Sequence, residues 1–379
     1  MSGALAGVRI IELAGIGPAP YGVMLLADQG AEVIRVDRAD TVDQPEAVAS
    51  MAGLSRSRRS IAVDLKDPDG LATVRRLVAG ADVLVEGFRP GVTERLGLGP
   101  DQLRADHPRL IYARMTGWGQ DGPLAPRAGH DLDYAAIAGA LHPIGRPDEP
   151  PPPPINYLAD FGGGGAFLAL GVMAALFERE RSGEGQVVDA AMVDGAASLT
   201  AFLQGLLANG AWSTQRGSNL LDGAAPYYDT YRCADDRFIA VGALEPQFFA
   251  QLCEVLGLDP EQWSQHDRTL WPQQKERLAE LFASRSRDEW VAAFEGSDAC
   301  VAPVLDLAEA PAHPHNVARG SFIDVGGHPQ PAPAPRLSRT PGAVTCAAPD
   351  PGDDTDAVLA ELGLDADEMQ RLRQRGAVR

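Results

Sequence analysis

The chain has 379 residues, with 33 Lys or Arg against 52 Asp or Glu, giving a formal net charge of −19. That length suits two or three domains and can bury a core without disulfides or metals. The acidic balance argues against nucleic acid or an anionic membrane as the main partner, because both want a basic face.

Only Lys66 and Lys275 are lysines; the other 31 basic residues are arginines. A P-loop and Schiff-base chemistry are therefore poorly served, and an anionic ligand is expected to be held by arginine forks. Cys233, Cys253, Cys300 and Cys346 lie 20, 47 and 46 residues apart. That spacing predicts neither a zinc site nor a disulfide framework. With no signal-like segment at the start and no expected apolar run long enough to span a bilayer, the chain reads as cytoplasmic and free of membrane partners.

From the N-terminus, β-rich apolar runs occur at 8–14, 32–37, 60–65, 82–88 and 110–115, with helix-period segments at 18–29 and 68–81 between them. Strands apolar nearly throughout suit a parallel sheet covered on both faces. The expected fold class is α/β, a doubly wound, Rossmann-like domain with its ligand at the strand C-terminal ends. Gly15-Ile16-Gly17 follows the first strand, but Pro18, Ala19 and Pro20 break the dinucleotide spacing. Asp37 stands where a dinucleotide fold keeps its ribose acid, while Arg38 beside it favours a phosphorylated ribose.

A proline-rich connector, 147–154, precedes a glycine run (Gly162–Gly165) and an apolar helix at 166–179, then a strand at 186–191 and a helix at 194–209. From Pro226 the pattern becomes a hairpin, 227–233 and 238–244, closed by 234–237, with helices at 245–256, 273–284 and 287–296. The domains expected are a large one over 1–210, a smaller α+β one over 226–325, and a return to the first over 330–379 with a closing helix at 355–375.

Three residues draw attention as chemistry. Asp160 precedes the glycine run and is expected near a helix N-cap, where free amides favour negative charge and missing side chains admit a ligand. His130 follows the fifth strand in a loop, where such a fold places its site. Glu245 begins a helix after the second hairpin strand, 115 residues from His130. Arg38, Arg58, Arg59, Arg89 and Arg95 form either a phosphate pocket or surface ion pairs.

Several runs together resemble the family III CoA-transferase superfamily, and within it the branch that racemises 2-methylacyl-CoA thioesters. They include Val-Arg-Ile-Ile-Glu-Leu-Ala-Gly-Ile-Gly-Pro (8–18), Phe-Arg-Pro-Gly-Val-Thr-Glu-Arg (88–95), Ala-Gly-His-Asp (128–131), Leu-Ala-Asp-Phe-Gly-Gly-Gly (158–164) and Val-Gly-Ala-Leu-Glu-Pro-Gln-Phe (241–248). The resemblance spans about residues 5 to 340 in order. It implies acyl-CoA and fatty-acid metabolism, and an interlocked homodimer with each site between the large domain of one subunit and the small domain of the other. His130 and Asp160 become the two acid/base groups, with Glu245 reaching His130 across the dimer. Coenzyme A, carried in as part of the substrate, would meet Arg38, Val63, Asp64, Leu65, Lys66, Gly87, Phe88, Arg89, Arg95, Gly129, His130, Asp131, Leu132, Asp133 and Tyr134.

The chemistry agrees with that resemblance. Inverting a carbon beside a thioester carbonyl requires a proton removed from one face and another delivered to the opposite face, with donors holding the enolate oxygen between. A carboxylate and an imidazole suffice, so neither metal nor organic cofactor is expected. Two other readings stand beside it: CoA transfer with Asp160 as nucleophile, and a non-catalytic CoA-ester-binding protein.

Overall fold

The computed structural model describes residues 3–43, 52–259 and 262–379. These residues fall into two compact units: Met1–Ala138, Pro154–Leu199 and Val317–Arg379 form the first, Gly139–Pro153 and Thr200–Asn316 the second.

The first unit is built on a six-stranded sheet: β1 (Arg9–Leu13), β2 (Glu32–Arg38), β3 (Arg59–Val63), β4 (Val83–Glu86), β5 (Ile111–Thr116) and β6 (Val187–Ala191). Its order is β3-β2-β1-β4-β5-β6, and every pairing is parallel. The strand run reverses between β1 and β4, so a crevice is expected outside the carboxyl ends of those two strands. Ile10, Ile11, Ile61, Val83, Leu84, Val85, Ile111 and Tyr112 are fully buried, which is why these runs carry no polar alternation. The polar exceptions are paired. Glu12 and Arg58, both wholly buried, meet at 2.6 Å, and Arg114 meets Glu86 at 2.8 Å.

Helix α1 (Pro18–Asp28) leaves β1 with prolines in its first turn, where a missing N–H costs nothing. The short helix α2 (Asp131–Ile137) follows the loop after β5. Beyond it, a π-helical segment, Tyr157–Gly165, runs directly into α3 (Ala166–Ser182). After β6 comes α4 (Met192–Leu199). The expected helix over 194–209 is thus two helices, α4 in the first unit and Ala201–Ala208 in the second.

The glycine run serves packing between helices. A Cβ on Gly165 would lie 2.5 Å from the Pro18 carbonyl oxygen of α1, and one on Gly195 would lie 1.7 Å from the Gly163 oxygen. Backbone meets backbone on both sides of this segment, so the glycines are not a cradle for a ligand. With the π-helical segment included, the helix 157–182 is long and apolar enough, by length and composition, to cross a membrane. This corrects the expectation that no such run exists. In the fold Leu168, Ala169, Val172, Ala175 and Leu176 of this helix are buried, the pattern of a core helix against a sheet.

In the second unit, β7 (Tyr228–Arg232) and β8 (Phe238–Gly242) form the expected antiparallel hairpin, extended by β9 (Val301–Pro303). Asp236 takes the left-handed conformation its turn needs, at φ 60°. Helices Pro246–Leu256, Trp271–Phe282 and Arg287–Ala293 cover the sheet, sharing a core of Tyr231, Ile239, Phe249, Leu252, Phe282 and Trp290. The closing helix is two, Thr355–Glu361 and Ala366–Arg375, parted where Gly363 has φ +79°. The C-terminal end returns to the first unit through a bridge between Val378 and Val63.

Candidate active site

A pocket of about 490 Å³ opens at the carboxyl ends of the central strands. Its walls are Ala14–Ala19 after β1, Gly87–Pro90 after β4, Met115–Trp118 at the end of β5, the loop 125–130, Tyr134, Asp160 and Met192. It therefore sits at the point where the strand order reverses. His130 and Asp160 share it.

Asp160 is placed by the π-helical segment, not by an N-cap as expected. The amides near it are engaged: Ala159 N–H and Asp160 N–H both donate to Asp131 Oδ2, at 2.6 and 2.8 Å. They are closed to a ligand. Burial pushes the Asp160 carboxyl up to about 6; the charge of Asp131 adds to the rise and that of His130 opposes it. Asp131 is 4% exposed and its Oδ1 has no hydrogen-bond partner among the described residues. Expected beside the ligand, this carboxylate works inside the protein, fixing the backbone that carries Asp160. Its position 29 residues upstream in sequence gave no sign of that contact.

His130 is the residue before α2, exposed, with its amide donating to Asp133 Oδ2 at 2.9 Å. The Tyr134 hydroxyl donates to the Gly129 oxygen, and Leu132 is exposed. Glu245 belongs to the second unit, where it is exposed and precedes the helix Pro246–Leu256.

The arginines divide cleanly. Arg58 is spent on Glu12 and on the Pro20 and Leu54 carbonyls. Arg59 is spent on Glu32 and Glu361. Neither is free for a phosphate. Arg89 lines the pocket and is exposed, and no carboxylate among the described residues pairs with it or with Arg95. Arg38 is exposed and paired with Asp40 at 2.6 Å. Asp37 is buried, accepting from Arg35 at 2.7 Å and from Ser60 at 2.6 Å, so it offers nothing to a ribose. Of the segment 63–66, Val63 is a core side chain, Asp64 donates its amide to Ala377, and Lys66 is exposed. Arg38, the segment 63–66 and Arg95 lie outside the walls of this pocket, whereas Gly87, Phe88 and Arg89 form part of them.

Sequence reasoning missed the wall formed by Ile16, Met115, Trp118, Arg127 and Met192. Ile16 is 77% exposed within it. The signal was available in one case: an apolar side chain between two glycines at a strand end has no core to enter.

Residues 5–355 match CoA-transferase family III. The chain belongs to that family. It is 50% identical over 372 residues to the α-methylacyl-CoA racemase of Mus musculus, covering 97% of this chain and 96% of the relative. It is 47% identical over 380 residues to the α-methylacyl-CoA racemase of Homo sapiens, with the same coverage. Among solved structures, a CaiB/BaiF family protein from Brucella suis superposes with a TM-score of 0.84 at 28% identity, covering 96% of this chain and 100% of that one.

Proposed function

We propose that this chain is an isomerase that epimerises the α-carbon of 2-methylacyl-CoA thioesters. The observation that carries the reading is a carboxyl and an imidazole on one pocket, with the carboxyl held at about 6. A group with that affinity can lose and regain a proton near neutral pH, which is what each half of the reaction asks. The identity to two racemases supports the same choice within the family.

In one direction, ionised Asp160 takes the C2 proton and leaves the electron pair delocalised into the thioester as an enolate. Protonated His130 then delivers its proton to the opposite face, and the roles exchange in reverse. The thioester already acidifies the α-proton, so this chemistry needs no metal or organic cofactor. Gly15, Ile16 and Gly17 line the pocket, and their amides donate to nothing among the described residues. They replace the amides beside Asp160 as donors to the enolate oxygen. Arg89 is free to meet a phosphate of coenzyme A.

The working form in this reading is a homodimer whose chains interlock, with Glu245 of the partner subunit orienting His130. Leu170, Met173 and Phe177 of α3 support an interface: they repeat at helical spacing and are 62%, 48% and 68% exposed.

The test is α-proton exchange. Purified protein in D2O with (R)- or (S)-2-methylacyl-CoA is expected to incorporate deuterium at C2 and converge on a mixture of epimers, and His130→Ala and Asp160→Ala are each expected to abolish convergence. Absence of exchange, with acyl transfer to an added carboxylic acid, would make Asp160 a nucleophile and the protein a CoA-transferase. Tight binding with neither reaction would leave a CoA-ester-binding protein.

A further inference from the structure

An acid/base histidine has to present its imidazole to one face of a carbon, yet His130 is exposed and belongs to a loop. Two aromatic side chains grip the residues just before it. The Trp118 indole N–H donates to the Ala128 oxygen at 3.4 Å, and the Tyr134 hydroxyl donates to the next carbonyl, that of Gly129. The two rings meet edge to face, 4.7 Å apart at 81°, a favourable arrangement for aromatic quadrupoles. The His130 amide itself donates to Asp133 Oδ2 at 2.9 Å.

Room for this clamp is made by two glycines. A Cβ on Gly117 would lie 2.1 Å from the Tyr134 ring, and one on Gly129 would lie 2.7 Å from Tyr134 and 3.0 Å from Trp118. Tyr134 is 6% exposed. Burial, followed by the charges of Asp160 and Asp133, pushes its hydroxyl up to about 12, so it remains a protonated donor through the neutral range.

We infer that Trp118 and Tyr134 are positioning residues for His130, acting through the Ala128 and Gly129 carbonyls. The inference rests on the racemase reading and deepens it. The carbonyls that the clamp holds precede His130, whereas the Asp160 amide is held by Asp131.

The experiment uses Tyr134→Phe, which keeps the ring and removes one donor, with Trp118→Phe as the second variant. Deuterium incorporation is measured separately from each enantiomer, and affinity for a non-reactive CoA thioether is measured by calorimetry. His130→Ala identifies the enantiomer whose exchange depends on His130. Tyr134→Phe is expected to slow that exchange about tenfold, as a small misplacement of a reacting group does. Because both rings also line the pocket, the deciding readout is the ratio of the two exchange rates, which cancels any change common to both enantiomers; that ratio is expected to fall about tenfold. Trp118→Phe gives the same asymmetry.

Equal slowing from both enantiomers, no slowing at all, or a loss confined to thioether affinity would each overturn the positioning role. The last would place Tyr134 on the substrate. Wild type that exchanges neither enantiomer would instead overturn the racemase reading itself.

Discussion

Asp131 and Asp160 are joined through the backbone: Asp131 Oδ2 accepts the amide of Asp160 at 2.8 Å, so one carboxylate fixes the position of the other while raising its proton affinity. Burial is the larger cause of the raised Asp160 affinity, and the charge of Asp131 adds to it. Replacing Asp131 by Asn removes the like charge and keeps the shape. Asp160 is then expected to ionise at lower pH, and the acidic limb of the pH–rate profile for the Asp160-dependent enantiomer should move down. Asp131→Ala also loses two charge-assisted hydrogen bonds and is expected to destabilise the fold by about 2 kcal/mol. Urea unfolding of both variants checks the difference. An unmoved acidic limb in Asp131→Asn would remove the electrostatic coupling.

The raised affinity of Asp160 has a consequence for stability. The folded chain binds this proton more tightly than the unfolded chain does. The contribution is therefore fully present below the unfolded value of 3.8 and is lost as pH rises through about 6. Asp160→Asn escapes that loss. Allowing for solvent screening of a half-exposed group, it is expected to be about 1 kcal/mol more stable than wild type at pH 8. No such advantage is expected in acid, where both side chains are neutral. Thermal unfolding at the two pH values decides it, and a variant less stable at pH 8 would contradict the burial of Asp160.

Two arginines that look alike in sequence are expected to behave oppositely. Arg58→Ala strands a buried Glu12 and should cost about 3–5 kcal/mol of stability. Arg89→Ala touches no ion pair among the described residues and should leave stability within about 0.5 kcal/mol. Its loss is expected in CoA-ester affinity, about tenfold, and is expected to vanish with a pantetheine thioester that carries no nucleotide phosphates. Calorimetric titration with both esters measures it.

Gly195 and Gly205 offer a matched comparison on helices consecutive in sequence. A methyl group on Gly195 would run into the Gly163 carbonyl, while one on Gly205 meets nothing within 4 Å. Gly195→Ala is expected to cost about 3 kcal/mol or more by forcing α4 off the π-helical segment, and to lower activity by moving Asp160. Gly205→Ala should be neutral or gain about 0.5–1 kcal/mol in helix propensity. Unfolding free energies that match between the two would mean the close approach is not required.

Much of the fold was legible because parallel strands advertise themselves. Residues such as Ile10, Ile11, Val83, Leu84 and Val85 are apolar on both faces, and the helices between them have their own period. His130 and Asp160 were legible only as candidates, placed by chain order and by family resemblance. The glycine run at 162–165 was misread because glycine signals both a ligand cradle and a tight helix crossing, and local sequence does not distinguish them. The same limit hid Asp131, whose partners lie 28 and 29 residues away, and split the expected helix at 194–209 between two units. These facts depend on which surfaces meet, and that is set by topology.

Glu245 and His130 lie in different units of the chain, and the interlocked homodimer proposed above would bring them together only between subunits. That arrangement predicts complementation. His130→Ala and Glu245→Ala homodimers should each be deficient in exchange through His130. A heterodimer made by co-expressing the two, isolated with a different affinity tag on each chain, holds one site with both defects and one site with neither. It should regain about half the wild-type rate per dimer, because catalytic groups that act as a unit fail together and recover together. If the two residues instead met within a single chain, every site in the heterodimer would carry one defect and no activity would return. Recovery therefore assigns Glu245 to the opposite subunit, and its absence in a correctly assembled heterodimer assigns it to the same one.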